Sequence, residues 1–298
     1  YIKSILDEYS KSVNKKETAV ISSIDTYDGV ENFESHITTP ESYDIHRHFS
    51  NALNSGMENV VMEVSSQACK LNRVGDVFFD VGIFMNISED HISPIEHADF
   101  DDYYKSKLKM FANTKNAIVN MDADLAANTL AVARRDSARV FTFSMKTKDT
   151  DFYAYDIRKD GFNTIFKVHT PSYDEEFMLT MPGLFNVENA LAAIATAYLM
   201  DVPVENIKHG LEIARSSGRM EVFHTKDMKI IILVDYAHNK LSFEKLFSSV
   251  KEEYPDRRIV SIFGCPGKKA LLRRKDLGTV AGMYSDFVYL VAEDPGAE

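Results

Sequence analysis

The chain is short of cysteine, of long apolar runs and of positive charge, and each shortage closes off a class of function. Its two cysteines, Cys69 and Cys265, lie far apart and form no Cys-x-x-Cys or Cys/His zinc spacing. A disulfide framework is therefore excluded, and free thiols in a reducing compartment, the cytoplasm, are expected. No apolar run approaches the roughly 20 residues that a membrane span needs, and the N-terminus lacks the layout of a signal peptide. With 34 Lys and Arg against 45 Asp and Glu the formal net charge is -11, the opposite of the basic footprint that nucleic-acid binding requires. An anionic ligand would need a local basic pocket. Several catalytic signatures are also missing, among them Gly-x-Ser-x-Gly and His-Glu-x-x-His. The segment Gly264-Cys265-Pro266-Gly267-Lys268-Lys269 is not a phosphate loop, because Ile262 and Lys269 stand where that pattern needs Gly and Ser or Thr.

What is present is a chain of 298 residues, 45% hydrophobic and 27% charged, long enough for one large domain or two ordinary ones. Apolar spacing predicts a helix over Tyr1–Tyr9 and a β-branched strand over Thr18–Ile24. Thr39-Pro40 opens a further helix that Gly56 closes. Val60–Val64, Asp80–Met85 and Ala117–Met121 read as strands buried on both faces of a parallel sheet, with helical stretches between them, notably Tyr103–Phe111. From Val140 to about Thr180 the texture changes to antiparallel hairpins with a turn at Asp160-Gly161, an inserted β-ribbon. Helices return over Asn186–Met200 and Val204–Ala214, the latter opened by Pro203 at its first position. Past Gly218 a second alternation starts: strand Ile230–Val234, helix Ser242–Glu253, strand Ile259–Phe263, helix Asp276–Met283, strand Phe287–Val291. The expectation is an α/β protein with one domain over 1–215 and a second over 216–298, and with ligands at the carboxyl ends of the strands.

Candidate chemistry gathers at those ends. Glu63, followed by Ser65 and Ser66, emerges where a parallel sheet presents its ligand edge, and Asp90-His91 follow the next strand and would project from the same edge. A carboxylate and an imidazole there suit a divalent ion, although an acidic residue at a strand end is more often simply solvated and an Asp-His pair a turn. Lys105, Lys107 and Lys109 ordinarily make a solvent-facing set; a neutral lysine amine that adds carbon dioxide would instead supply oxygen ligands suited to Mg²⁺. Val234-Asp235-Tyr236-Ala237-His238 ends a strand where a ribose is commonly gripped, or is a polar turn.

Taken in order, these strings resemble the signature of the Mur ligases, most closely those that add the third residue of the peptidoglycan stem peptide. The resemblance rests on Thr38-Thr39-Pro40, Glu63-Val64-Ser65-Ser66 with Arg73, Phe84-Met85-Asn86 through Asp90-His91, and Tyr104, Ser106 and Lys107 before Phe111. It continues with Pro182-Gly183-Leu184-Phe185-Asn186 through Asn189-Ala190, Gly218-Arg219-Met220-Glu221 and Asp235-Tyr236-Ala237-His238.

The resemblance implies a central P-loop-NTPase-like ATPase domain followed by part of a Rossmann-like domain. It implies ATP-driven amide formation on UDP-N-acetylmuramoyl-L-alanyl-D-glutamate in peptidoglycan synthesis, and so a role in cell shape and division. Glu63, His91 and a carbamylated Lys107 would organise Mg²⁺. Asn186 and Asn189 would face the adenine, Asp235 and His238 the ribose, and Arg219 and Arg274 the phosphates. Thr38, Thr39, Ser65 and Arg73 would hold the muramoyl dipeptide, and Glu293 and Asp294 the incoming amino acid. Alternatives are a folylpolyglutamate-type or other Mur-like ligase, and a binding paralogue that kept the fold and lost catalysis. Departures bear on these. Gln67 replaces a usual His and Lys268 a usual Asp, and Gly296 stands where ligases for diaminopimelate carry Arg. The family's phosphate loop and uridine-binding domain would lie upstream of Tyr1, and the C-terminal domain would run past Glu298. This polypeptide alone is therefore expected to have little or no ligase activity.

Overall fold

The computed structural model describes the chain except for residues 95, 161–162, 268–270 and 294–298. The Asp160-Gly161 turn, Lys268, Asp294 and Gly296 thus lie wholly or partly outside the described residues. The described chain forms two compact units. The first takes Tyr1–Ile87, Tyr104–Pro182 and Asn186–Ser217, and the second takes Ser88–Tyr103, Gly183–Phe185 and the chain from Gly218 onward.

The first unit begins with α1 (Ile2–Ser12), β1 (Ala19–Ile21), β2 (Asp25–Tyr27), β3 (Asn32–Glu34), α2 (Ser42–Asn54), β4 (Val60–Met62) and α3 (Ser66–Lys70). These strands form a sheet in the order β3-β2-β1-β4, in which only β1 and β4 run parallel, Ala19 opposite Val60. Next come β5 (Phe79–Phe84), α4 (Phe100–Leu108) with a 3₁₀ turn over Lys109–Asn113, β6 (Thr114–Asn120), α5 (Ala126–Asp136) and β7 (Arg139–Ser144). The antiparallel β8 (Phe152–Asp160), β9 (Asn163–His169) and β10 (Asp174–Leu179) follow, and then α6 (Phe185–Leu199) and α7 (Val204–Ile213).

Strands β5 to β10 make one six-stranded sheet in the order β10-β9-β8-β7-β6-β5. The expected ribbon is present but not detached: β7 is a parallel member of the sheet, and β8 to β10 extend it. Phe143, Phe152, Phe166 and Phe177 are fully buried in its core beneath α6. That helix is apolar nearly all round, as a helix sealed into a core must be. Helix α1 packs on α7 so closely that a Cβ on Gly210 would meet the Ile5 Cα at 2.5 Å.

The second unit adds β11 (Glu221–His224), β12 (Ile231–Val234), α8 (Lys240–Glu253), β13 (Val260–Phe263), α9 (Leu272–Tyr284) and β14 (Phe287–Leu290). β11 pairs antiparallel with β12, and β13 parallel with β14. Phe243 and Phe247 of α8 pack with Leu277, Val280 and Ala281 of α9. Helix α8 starts from a capping box in which Asn239 and Ser242 satisfy each other's backbone amides. Among the described residues, no helix is long and apolar enough to cross a membrane.

Candidate active site

In the first unit the site is assembled around Thr39, whose side chain is fully buried. The sequence places this residue at the start of α2, but that helix begins at Ser42 with Glu41 as its N-cap. The Thr39 hydroxyl instead braces the chain leaving β4: it donates to the Glu63 carbonyl at 2.8 Å and accepts from the Ser65 amide at 2.9 Å. Arg73 donates to the Thr39 carbonyl at 3.2 Å and pairs with Glu41 at 2.6 Å. The Ser65 hydroxyl caps α3 by accepting from the Ala68 amide. Thr39, Ser65 and Arg73 thus spend polar groups on one another and on the backbone that carries Glu63.

Beside this brace lies a cavity of about 760 Å³ lined by Thr38, Glu63, Asn86, Lys107, Asn189 and Arg215, among others. Its volume suits a small-molecule site. Glu63 is exposed, with one carboxylate oxygen held by the Ser23 amide at 2.8 Å. Of the three lysines on α4 and the following turn, Lys105 and Lys109 are exposed, while the half-buried Lys107 reaches the cavity. Its Nζ donates to the Asn86 carbonyl at 3.3 Å and lies 5.8 Å from the centre of the Phe84 ring. Asn186 is buried, donates to the Pro182 carbonyl at 2.6 Å and accepts from Asn189, leaving the exposed Asn189 as the member of the pair that lines the cavity.

In the second unit Asp90 and His91 do not share an open edge as ion ligands. The Asp90 carboxylate is filled by Arg273, by Asn239 and by the His91 amide. Burial alone would push this carboxyl up, but the Arg273 guanidinium outweighs it and holds it below the usual carboxylate range. His91 sits at a positive φ of 56° with its ring against Tyr103. Its Nδ1 lies 2.9 Å from the Glu96 carboxylate and its Nε2 3.8 Å from the Asp90 carboxylate. Asp235 accepts from the Met220 and Ala237 amides, so its carboxylate ties the residue before β11 to the turn that follows β12. The Arg219 guanidinium stacks 4.6 Å from the centre of the Tyr236 ring, whose neighbour His238 donates Nδ1–H to the Tyr236 carbonyl at 2.9 Å. Burial lowers the His238 pKa, so the ring is neutral at pH 7 and presents Nε2 as an acceptor. Arg274 and Glu293 are exposed.

Sequence reasoning missed Asn120, which donates to the Met85 carbonyl at 2.9 Å and to the Glu188 carboxylate, tying β6 to α6 beneath the cavity residues. Its position at the end of an apolar strand was the available signal. It also missed a group of the buried Asp28 and His48 with the half-buried Asn51, and Glu31 alongside. There Asp28 accepts from the His48 ring, the Asn51 amide and two backbone amides, and Glu31 pairs with Arg47. These partners pin the β2–β3 turn to α2.

The family model described as "Mur ligase middle domain" matches residues 2–197, and that described as "Mur ligase, glutamate ligase domain" matches residues 218–298. The chain belongs to the Mur ligase family. It is 35% identical over 299 residues to the UDP-N-acetylmuramoyl-L-alanyl-D-glutamate–2,6-diaminopimelate ligase of Clostridioides difficile, covering 100% of this chain and 60% of that protein. It is 36% identical over 303 residues to the corresponding L-lysine ligase of Enterococcus faecalis, covering 100% and 58%. Among solved structures, MurF from Acinetobacter baumannii superposes with a TM-score of 0.75 at 20% identity, over 98% of this chain and 61% of that one. Folylpolyglutamate synthase from Mycobacterium tuberculosis superposes at 0.73 and 14% identity, over 97% and 71%. These superpositions show the Mur ligase fold. The chain spans about 60% of the length of the curated relatives it matches.

Proposed function

We propose that this chain forms the ATP-using part of a cytoplasmic, ADP-forming amide ligase that adds one amino acid to UDP-N-acetylmuramoyl-L-alanyl-D-glutamate. The observation that carries the reading is one cavity in the first unit onto which Thr38, Glu63, Lys107 and Asn189 all open. Each unit offers a group of metal-ligand chemistry. In the first unit Glu63 has a solvent-facing carboxylate and Lys107 is held by its Nζ at the cavity wall, and in the second His91 has its Nδ1 on Glu96 and its Nε2 3.8 Å from Asp90. Glu63, His91 and a carbamylated Lys107 would hold Mg²⁺, which when bound supplies positive charge against the triphosphate.

The protein's own groups then have distinct tasks. Asn189 reads the adenine edge, with Asn186 fixing its amide. His238 Nε2 accepts from a ribose hydroxyl, with Asp235 holding the turn that presents it. Arg219, flattened on Tyr236, and the exposed Arg274 neutralise phosphate charge. The dipeptide's carboxylate attacks the γ-phosphorus, the bond from that phosphorus to its bridging oxygen breaks, and ADP leaves. The amino group of the incoming residue attacks the acyl phosphate carbon, loses a proton and expels phosphate. The relatives include ligases named for diaminopimelate and for lysine. Gly296, replacing an Arg that would pair with a second carboxylate, favours lysine or another amine without one.

A folylpolyglutamate-type ligase is the second reading, favoured by the fold likeness alone. Thr39, Ser65 and Arg73 discriminate less than their sequence suggests, because the Thr39 and Ser65 hydroxyls and both Arg73 Nη atoms are engaged internally. The test is ADP release by a polypeptide extended upstream of Tyr1, with UDP-muramoyl-dipeptide or a folate offered against a panel of amino acids. Turnover confined to the muramoyl substrate supports the proposal, and turnover with the folate, or with neither, sinks it.

A further inference from the structure

The Asp90 carboxylate is a charged group of the second unit that the proposed reaction does not use. Its side chain is 4% exposed. Arg273 grips it as a fork, Nε to Oδ1 and Nη2 to Oδ2 each at 3.0 Å. Asn239 donates Nδ2–H to Oδ2 at 3.1 Å, and the His91 amide donates to Oδ1 at 2.9 Å. Both oxygens are thereby saturated, and a two-pronged pair of this kind fixes direction as well as distance.

The partners are as telling as the bonds. His91 is itself the proposed metal ligand. Asn239 follows His238, the proposed ribose contact, and its other side-chain atom is committed to the Ser242 amide at the start of α8. Arg273 precedes Arg274, the proposed phosphate contact. Segments separated by 149 and 183 residues in sequence thus end on one carboxylate, each within one residue of a side chain proposed to bind ligand. Stability alone does not call for such convergence, since a buried ion pair gives little net stabilisation over apolar packing.

We propose that Asp90 is a positioning residue that sets His91, His238 and Arg274 in register, so that metal and nucleotide are bound by one preset unit. This inference rests on the ligase reading above. The test uses ADP release by the upstream-extended polypeptide with Asp90→Asn, which keeps the shape and removes the charge, and with Arg273→Lys, which keeps the charge and removes the fork. Circular dichroism confirms that the variants are folded at the assay temperature. The expected result for Asp90→Asn is a rise of about 10- to 100-fold in the Mg²⁺ and ATP concentrations giving half-maximal rate, with the KM for muramoyl dipeptide held within about twofold. Arg273→Lys should fall between that variant and wild type. Unchanged Mg²⁺ and ATP dependence in folded Asp90→Asn would overturn the inference, as would an equal rise in the dipeptide KM, which marks general loosening. A wild type that makes no ADP with any substrate would refute the ligase reading itself.

Discussion

Replacing Thr39 by Val isolates the brace on which the first unit's site is built. Valine keeps the shape and the buried methyl but deletes the hydroxyl that the Glu63 carbonyl and the Ser65 amide share. Thr39 is fully buried, so water cannot take the hydroxyl's place on that side, and both backbone groups lose a partner. Leaving a buried polar group unsatisfied costs about 1 to 3 kcal/mol. Because Glu63 is itself exposed, part of the loss at its carbonyl is recovered by solvent, and we expect a total of about 2 kcal/mol. Thr39→Ser keeps the hydroxyl and loses only a methyl, about 1 kcal/mol or less. Urea unfolding followed by circular dichroism reads both, as a lowered midpoint at an unchanged slope. The ordering Val worse than Ser is the signature of the hydrogen bonds. If Thr39→Ser proves as costly as Thr39→Val, or if Thr39→Val lies within about 0.5 kcal/mol of wild type, the brace is not what holds this strand end.

Gly210→Ala should destabilise by about 1 to 3 kcal/mol in the same assay, because the added methyl runs into the Ile5 backbone as well as its Cγ1. For Asp28, burial alone would raise the carboxyl pKa, but hydrogen bonds from Glu31, His48, Asn51 and Val30 outweigh it and hold the group down at about 2. Its folded pKa lies below the unfolded value, so its contribution, on the order of 2 kcal/mol, is present above about pH 4 and fades as pH falls toward 2. The stability gap between wild type and Asp28→Asn, followed by urea midpoints across that range, should close accordingly. Burial pushes the Cys69 thiol up to about 11, so a disulfide reagent at pH 8 should leave Cys69 unmodified in the folded chain and label it in urea.

The apolar strands were legible as continuous runs: Val60–Val64 contains β4, and Ala117–Met121 lies largely within β6, but of the two only β6 is buried on both faces, β4 being an edge strand with Val60 exposed. The hairpin of β2 and β3 was not. Asp25–Tyr27 and Asn32–Glu34 are polar three-residue strands with no alternation to detect. Helix α5 went unread because Leu125, at a left-handed φ of 59°, opens it without a capping side chain. Motif strings named candidate residues but not what each side chain does. Thr39 reads as a ligand contact, yet its hydroxyl is fixed by atoms 24 and 26 residues away. Asp90 reads as an ion ligand, yet its oxygens are taken by a guanidinium 183 residues on. Such long-range pairings depend on the packed structure, and no local pattern encodes them.

The most direct test of the account is ADP release by the upstream-extended polypeptide with Mg²⁺, UDP-muramoyl-dipeptide and lysine, comparing wild type with Lys107→Ala and adding small carboxylic acids to the variant. The account predicts turnover in the wild type, loss of about 100-fold or more in the variant, and partial recovery when a free carboxylate takes the place of the missing carbamate. A variant that turns over as fast as wild type would contradict it, because Lys107 would then be no more than a lysine on a cavity wall.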